Sequence, residues 1–225
     1  MMGIFVTEQI IIFLLFALAI IANIVAEYRD SDLGRSYSKP LIIPLILAFY
    51  LLMSQETDPF IVTALCFALL GDIFLLFTAN NLFFRLGTAS YMMTYFLFSL
   101  VLAIRFLSIS FSTPQLLTGL FFALSGVLTV LIFLWKYLLN MKVLGLMYML
   151  THSALLFMCI LQFGNATYLN TMLCLGGAVF LITSDFLVAW RRFRNEFTYS
   201  GIYIIVSYIM GIAMLVIGMM EKPLT

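Results

Sequence analysis

Leu69-Leu70-Gly71-Asp72-Ile73-Phe74-Leu75-Leu76-Phe77 places a carboxylate inside a run of apolar residues. If the run crosses a bilayer, the acid costs roughly 2.5–3.5 kcal/mol on insertion scales. An acid kept at that cost marks a functional site until another reason for it is found. A second copy of the arrangement comes late in the chain, at Thr183-Ser184-Asp185-Phe186-Leu187. Both the fold and the function turn on what these two aspartates do.

Composition decides the solvent. Of 225 residues, 64% are hydrophobic and 9% charged. A soluble domain carries about 25% charged residues, so this chain has too few to cover a surface facing water. Length allows about eight spans of roughly 20 residues joined by short loops. The expected fold is therefore all-α, a polytopic membrane protein forming a single transmembrane domain over 1–225. A net charge of +1 gives no electrostatic case for nucleic acid. Cys66, Cys159 and Cys174 lie inside apolar runs without a C-x-x-C pair, and read as small buried hydrophobes. The first apolar run is longer than a signal h-region and has no Lys or Arg before it, so it reads as a retained helix.

Hydropathy and turn residues predict spans at 7–26, 40–53, 59–78, 82–107, 114–137, 142–162, 166–190 and 199–220. Span 2 is expected to open at Lys39-Pro40, since proline suits a first helical turn. Span 7 is expected to stop at Arg191-Arg192-Phe193-Arg194. Eight spans put both termini on one side. The opposite side then carries Arg29, Arg35, Lys39, Arg85, Lys136, Lys142, Arg191, Arg192 and Arg194, nine of the 11 Lys and Arg, against Arg105 and Lys222. By the positive-inside rule both termini face away from the cytoplasm.

On these boundaries Asp72 and Asp185 come about six and five residues before the cytoplasmic ends of spans 3 and 7. Both would sit roughly 8–9 Å below that boundary, and would face one cavity if the two helices are neighbours. Lys39, Tyr91, Tyr95, Tyr148, His152 and Tyr208 fall in the same half. Tyr95, Tyr148 and Tyr208 lie too deep for an interfacial belt and read as donors lining a polar pocket. A step of 113 residues carries Lys39 onto His152, Asp72 onto Asp185, Phe84 onto Phe197 and Tyr95 onto Tyr208. Such an echo allows two four-helix repeats of parallel orientation.

Three roles suit the paired acids. They could be structural, hydrogen-bonding neighbouring helices or pairing with Lys39. They could couple ions or protons in a transporter. They could also divide acid and base roles, since two carboxyls in a low-dielectric site do not ionise together easily. His152, the one histidine, is in the bland case a packing residue. No metal-ligand spacing such as H-E-x-x-H occurs, and no metal or cofactor is expected. Ser184 is on the same helix as Asp185 but not on the same face, so no nucleophile arrangement forms.

Several segments resemble the lysoplasmalogenase (YhhN-like) family. Lys39-Pro40-Leu41-Ile42-Ile43-Pro44-Leu45 is similar to its K-P-L-x-x-P-L, and Leu70-Gly71-Asp72 to its L-G-D. Phe83-Phe84-Arg85-Leu86-Gly87 resembles the F-x-x-G entry to the next helix. Gly177 to Ala189 resembles G-A-x-x-F-x-x-S-D-x-x-L-A, with Arg192-Phe193 as the following R-F and Ser207-Tyr208 as the T-Y of the last helix. The resemblance implies an eight-helix membrane hydrolase. Such an enzyme cleaves the vinyl ether of a lysoplasmalogen to a fatty aldehyde and a glycerophospho-headgroup. It implies a lysophospholipid substrate, Asp72 and Asp185 as the catalytic pair, Lys39 near the lipid phosphate, and Tyr148 and Tyr208 orienting headgroup or water. Membrane lipids would be the other partners. The chain departs at Tyr95-Phe96-Leu97-Phe98, where the family has H-x-x-Y, and at Ile212, where a glutamine is frequent. His152 on span 6 is the candidate for the missing histidine's place. A lipid-binding protein or an ion-coupled transporter is the alternative function.

Overall fold

The computed structural model describes residues 2–77, 80–105, 111–136, 138 and 141–220. They form eight helices: α1 (Met2–Tyr28), α2 (Asp32–Met53), α3 (Pro59–Leu75), α4 (Asn81–Arg105), α5 (Thr113–Leu134), α6 (Lys142–Leu161), α7 (Tyr168–Phe193) and α8 (Ser200–Gly218). No strand occurs among the described residues. Six helices (α1, α2, α4, α6, α7 and α8) are long and apolar enough to cross a membrane. The all-helical, multi-pass architecture is therefore as expected. α3 is shorter at 17 residues, as is the apolar stretch Thr113–Leu128 of α5. Lys222 and Tyr137 lie outside the described residues, as do the expected ends of spans 3 and 4.

Helices pair in chain order, α1 with α2, α3 with α4, α5 with α6 and α7 with α8. α4 also packs on α6, while α8 touches α1 and α2. α4 and α8 are the most interior helices, each 56% buried over its apolar window. α7 and α8 approach at backbone distance, because a Cβ on Gly177 would stand 2.8 Å from the Gly211 carbonyl oxygen. Without a hydrophobic force between helices in lipid, such close packing holds them together.

Polar latches close both ends of the bundle. At one end Arg105 donates to the Met219 carbonyl at 2.7 Å and lies 3.6 Å from Asp58, so α4, α8 and the start of α3 meet. At the other, Arg192 of α7 donates to Asn81 at the start of α4, at 2.8 Å.

Three boundaries differ from the hydropathy reading. α2 begins at Asp32 and not at Lys39, because Ser31 caps it by accepting from Gly34 N–H. Pro40 and Pro44 therefore lie inside the helix, where each removes a backbone donor. α7 runs through Arg191 and Arg192, with Arg194 as its C-cap; cations in a last turn complement the helix dipole. α3 ends at Leu75, three residues past Asp72, whereas α7 continues eight residues past Asp185. Equal spacing from the helix ends does not hold, and roughly 4 and 12 Å of helix follow the two acids.

Candidate active site

Asp72 is fully buried on α3. Tyr91 of α4 donates its hydroxyl to Oδ1 at 2.7 Å, and Tyr208 of α8 donates to Oδ2 at 2.9 Å. Lys39 Nζ of α2 stands 3.4 Å from Oδ1. Lys39 is thus a full two turns inside its helix and engaged with a carboxylate, not a residue at the helix start. Gly71 makes the arrangement possible. A Cβ there would sit 2.9 Å from Cε2 of Tyr91, so only glycine lets that ring lie flat enough on α3 for its hydroxyl to reach the next residue.

Asp185 projects from α7 into the same half of the bundle. Tyr95 of α4 donates to Oδ2 at 2.6 Å, and His152 Nε2 of α6 lies 2.7 Å from that oxygen. The other imidazole nitrogen, Nδ1, is 3.0 Å from the Tyr148 carbonyl. A carbonyl oxygen only accepts, so Nδ1 carries a hydrogen. The contact between Nε2 and Oδ2 then holds a second proton, either as imidazolium facing carboxylate or as imidazole facing carboxylic acid. His152 and Asp185 form a proton-sharing pair in both forms. The Tyr95 ring covers the imidazole at 4.2 Å and Tyr148 covers it at 4.6 Å.

α4 joins the two acids. Tyr91 and Tyr95 are one turn apart and stack at 6.2 Å, one bound to Asp72 and the other to Asp185. Tyr208 meets the Tyr91 ring edge-on at 5.8 Å. α3 and α7 themselves do not pack extensively on each other; the tyrosine helices stand between them. Every residue singled out in the sequence (Lys39, Asp72, Tyr95, Tyr148, His152, Asp185 and Tyr208) therefore belongs to one connected network. Ser184 points away, donating to the Ile204 carbonyl of α8 at 3.0 Å. Tyr91, bonded to Asp72, completes the network beyond the expected site residues. Its signal was the four-residue step from Tyr95, which puts both rings on one helix face.

Two cavities reach the network, and they separate the aspartates. One of about 60 Å³ runs from Phe84, Met141 and Phe193 past Thr88, Tyr91 and Tyr148 to Asp185. The other, about 220 Å³, lies between α5, α6 and α7 and is lined by His152 and Asp185 at one side. Asp185 borders both; Asp72 borders neither, and Tyr91 stands between it and the smaller cavity. Neither of these cavities is shared by the two acids. Among the described residues no three His, Cys, Asp or Glu side chains converge as metal ligands.

At the Tyr95 departure, His152 of α6 lies on the Tyr95 ring, since α6 packs on α4. Phe98 and Ile212, at the other departures, are fully buried core residues. No curated protein and no solved structure matches the chain. The YhhN family model matches residues 34–219, which hold every member of the network, and the chain belongs to the YhhN family.

Proposed function

We propose that the protein is a membrane-embedded hydrolase cleaving the vinyl ether of lysoplasmalogen-like lysophospholipids. The observation that carries the reading is the proton-sharing contact of His152 and Asp185 at the wall of the larger cavity, with Asp185 also lining the smaller one. Vinyl ether hydrolysis begins with a proton placed on the carbon β to oxygen, which leaves an oxocarbenium-like cation. The His152–Asp185 pair supplies that proton and becomes imidazole beside carboxylate. The carboxylate steadies the cation and, with His152, takes a proton from the water that adds to it. The resulting hemiacetal collapses to aldehyde and glycerol hydroxyl, its own O–H hydrogen passing to the leaving oxygen. The pair ends as it began.

Asp72 acts at one remove. It orients Tyr91, whose ring lines the smaller cavity, while the Lys39 ammonium offsets its charge. The paired-acid reading therefore narrows: Asp185 meets the substrate and Asp72 positions a neighbour. Family membership and the six long apolar helices support placing all eight helices as spans. The excess of Lys and Arg at the Asn81–Arg192 end supports that end as cytoplasmic. Two four-helix repeats are favoured by the contacts, since Lys39 meets Asp72 as His152 meets Asp185.

Purified protein incubated with a panel of lysolipids, with aldehyde, fatty acid and headgroup read by mass spectrometry, tests the reading. Asp185→Asn should lower aldehyde release by about 10²–10⁴-fold, the usual contribution of a positioned acid–base group, with the protein still folded. Full activity of that variant would overturn the proposal. Proton-coupled flux in liposomes with no product from any lysolipid would favour the transporter instead.

A further inference from the structure

The larger cavity is not needed to hold a headgroup, and its lining says what it suits. It lies between Gly126 of α5, Met149, His152, Ser153 and Leu156 of α6, and Ile182, Thr183, Asp185 and Phe186 of α7. Its polar residues away from the proton pair are two hydroxyls already bonded within the bundle. Ser153 donates to the Ala123 carbonyl at 2.9 Å and Thr183 to the Val179 carbonyl at 2.8 Å. Among the described residues no Lys or Arg lines it, and its one basic group, His152, is engaged by Asp185, so it offers a phosphate no free cation. At about 220 Å³ it exceeds the roughly 150 Å³ apolar cavity that takes a benzene ring. Thr183 is exposed on the lipid-facing flank of α7 beside the exposed Val179 and Phe180. α5 packs on α6 and touches α7 only lightly, so packing around the cavity is loosest between α5 and α7.

We infer that this cavity is the subsite for the single apolar chain of the lipid substrate, entered laterally from the bilayer between α5 and α7, with Gly126 setting its depth. The inference rests on the hydrolase reading and adds the substrate's orientation. The chain's first carbons lie against His152 and Asp185, where the vinyl ether must be protonated. The glycerol and headgroup then follow the smaller cavity toward Phe84 and Phe193, where Arg192 stands 5.4 Å from the Phe84 ring. Gly126 is the telling residue. A Cβ built on it meets nothing within 4 Å, so a side chain there grows into open space and not into a neighbour. Its absence keeps the α5 wall of the cavity clear.

The test uses the full chain in detergent or nanodiscs with two probes. The first is a series of alkenyl lysolipids differing in chain length. The second is a non-hydrolysable alkyl-ether lysolipid with a photoreactive group at the chain end, its attachment mapped by mass spectrometry. In the unaltered protein the label should map to α5, α6 and α7 residues around Gly126, Leu156 and Ile182. Gly126→Leu should shift preference toward shorter chains, lowering kcat/KM for the longest by about tenfold relative to the shortest, as an excluded methylene does in an apolar pocket. Ile182→Phe, filling the cavity from α7, should shift it the same way. Unchanged chain preference in both folded variants, or a label mapping elsewhere, would overturn the subsite. The two readings fail separately. A label in the cavity without turnover of any lysolipid leaves the chain site standing and removes the hydrolase. Turnover with the label elsewhere does the reverse.

Discussion

At the scale of single residues, the site shows two different ways of keeping a carboxylate in an apolar bundle. Asp185 shares a proton with a histidine and touches a cavity. Asp72 is enclosed by two hydroxyls and an ammonium and lines neither of the two cavities. Removing one member of a buried ion pair leaves the other uncompensated, which costs about 3–5 kcal/mol. Lys39 keeps 18% of its side chain exposed, so Lys39→Met should fall near the low end, about 3 kcal/mol, as a lowered unfolding midpoint in detergent. The double variant Lys39→Met with Asp72→Asn should recover part of that loss, because no lone charge remains. An additive double variant would show that the pair is not coupled. The sequence carried the identities of these residues well, since a charge or histidine in an apolar run stands out. It did not carry which carboxylate is accessible. That depends on the rotation of α4, which puts Tyr91 in front of Asp72, and rotation is set by Gly71 and its neighbours in space.

Among the elements, eight apolar runs in the sequence correspond to the eight helices of the described residues, and the errors at α2 and α7 share one cause. Hydropathy reports lipid, not helix. α2 extends back through Arg35 and Ser36 to a serine cap, and α7 extends forward through two arginines, because helical hydrogen bonds continue past the point where side chains become polar. The polar start of α2 also builds its own ion cluster. Arg35 donates to Asp30 at 2.8 Å and to Asp32 at 2.6 Å, and lies 3.4 Å from Glu27 of α1. The hydrogen bond from Arg35, and then its charge, hold the exposed Asp30 carboxyl below its ordinary value. A lowered carboxylate stabilises the fold above its unfolded pKa and loses that contribution as pH falls through the folded one. Unfolding midpoints measured across the acid range should therefore fall less steeply for Asp30→Asn than for the unaltered chain. Identical profiles would show that the α1–α2 turn draws nothing from this pair.

For the whole molecule, the contacts cross between the halves of the chain. Lys39 and Asp72 meet within the first half, as His152 and Asp185 meet within the second. The tyrosines trade places: Tyr95 of the first half serves Asp185, and Tyr208 of the second serves Asp72. Neither half holds a complete acid site alone. The step of 113 residues in the sequence hinted at the correspondence but not at the exchange, since a repeat in sequence does not state which copy a side chain reaches.

The 17-residue length of α3 bears on the membrane itself. At 1.5 Å per residue it spans about 26 Å, some 4 Å less than an average hydrocarbon core. A helix that short pulls the leaflets together around it, at a modest cost for each ångström of mismatch. With α3 placed as a span, as proposed above, the bilayer is thinnest beside Asp72, and headgroups and water come closer to the tyrosine network. Thickness becomes a control on the protein: reconstituted in bilayers of shorter acyl chains, it should be more stable, and the proposed turnover faster, than in long-chain bilayers. Equal behaviour across that series would show that the bundle, and not the lipid, absorbs the mismatch.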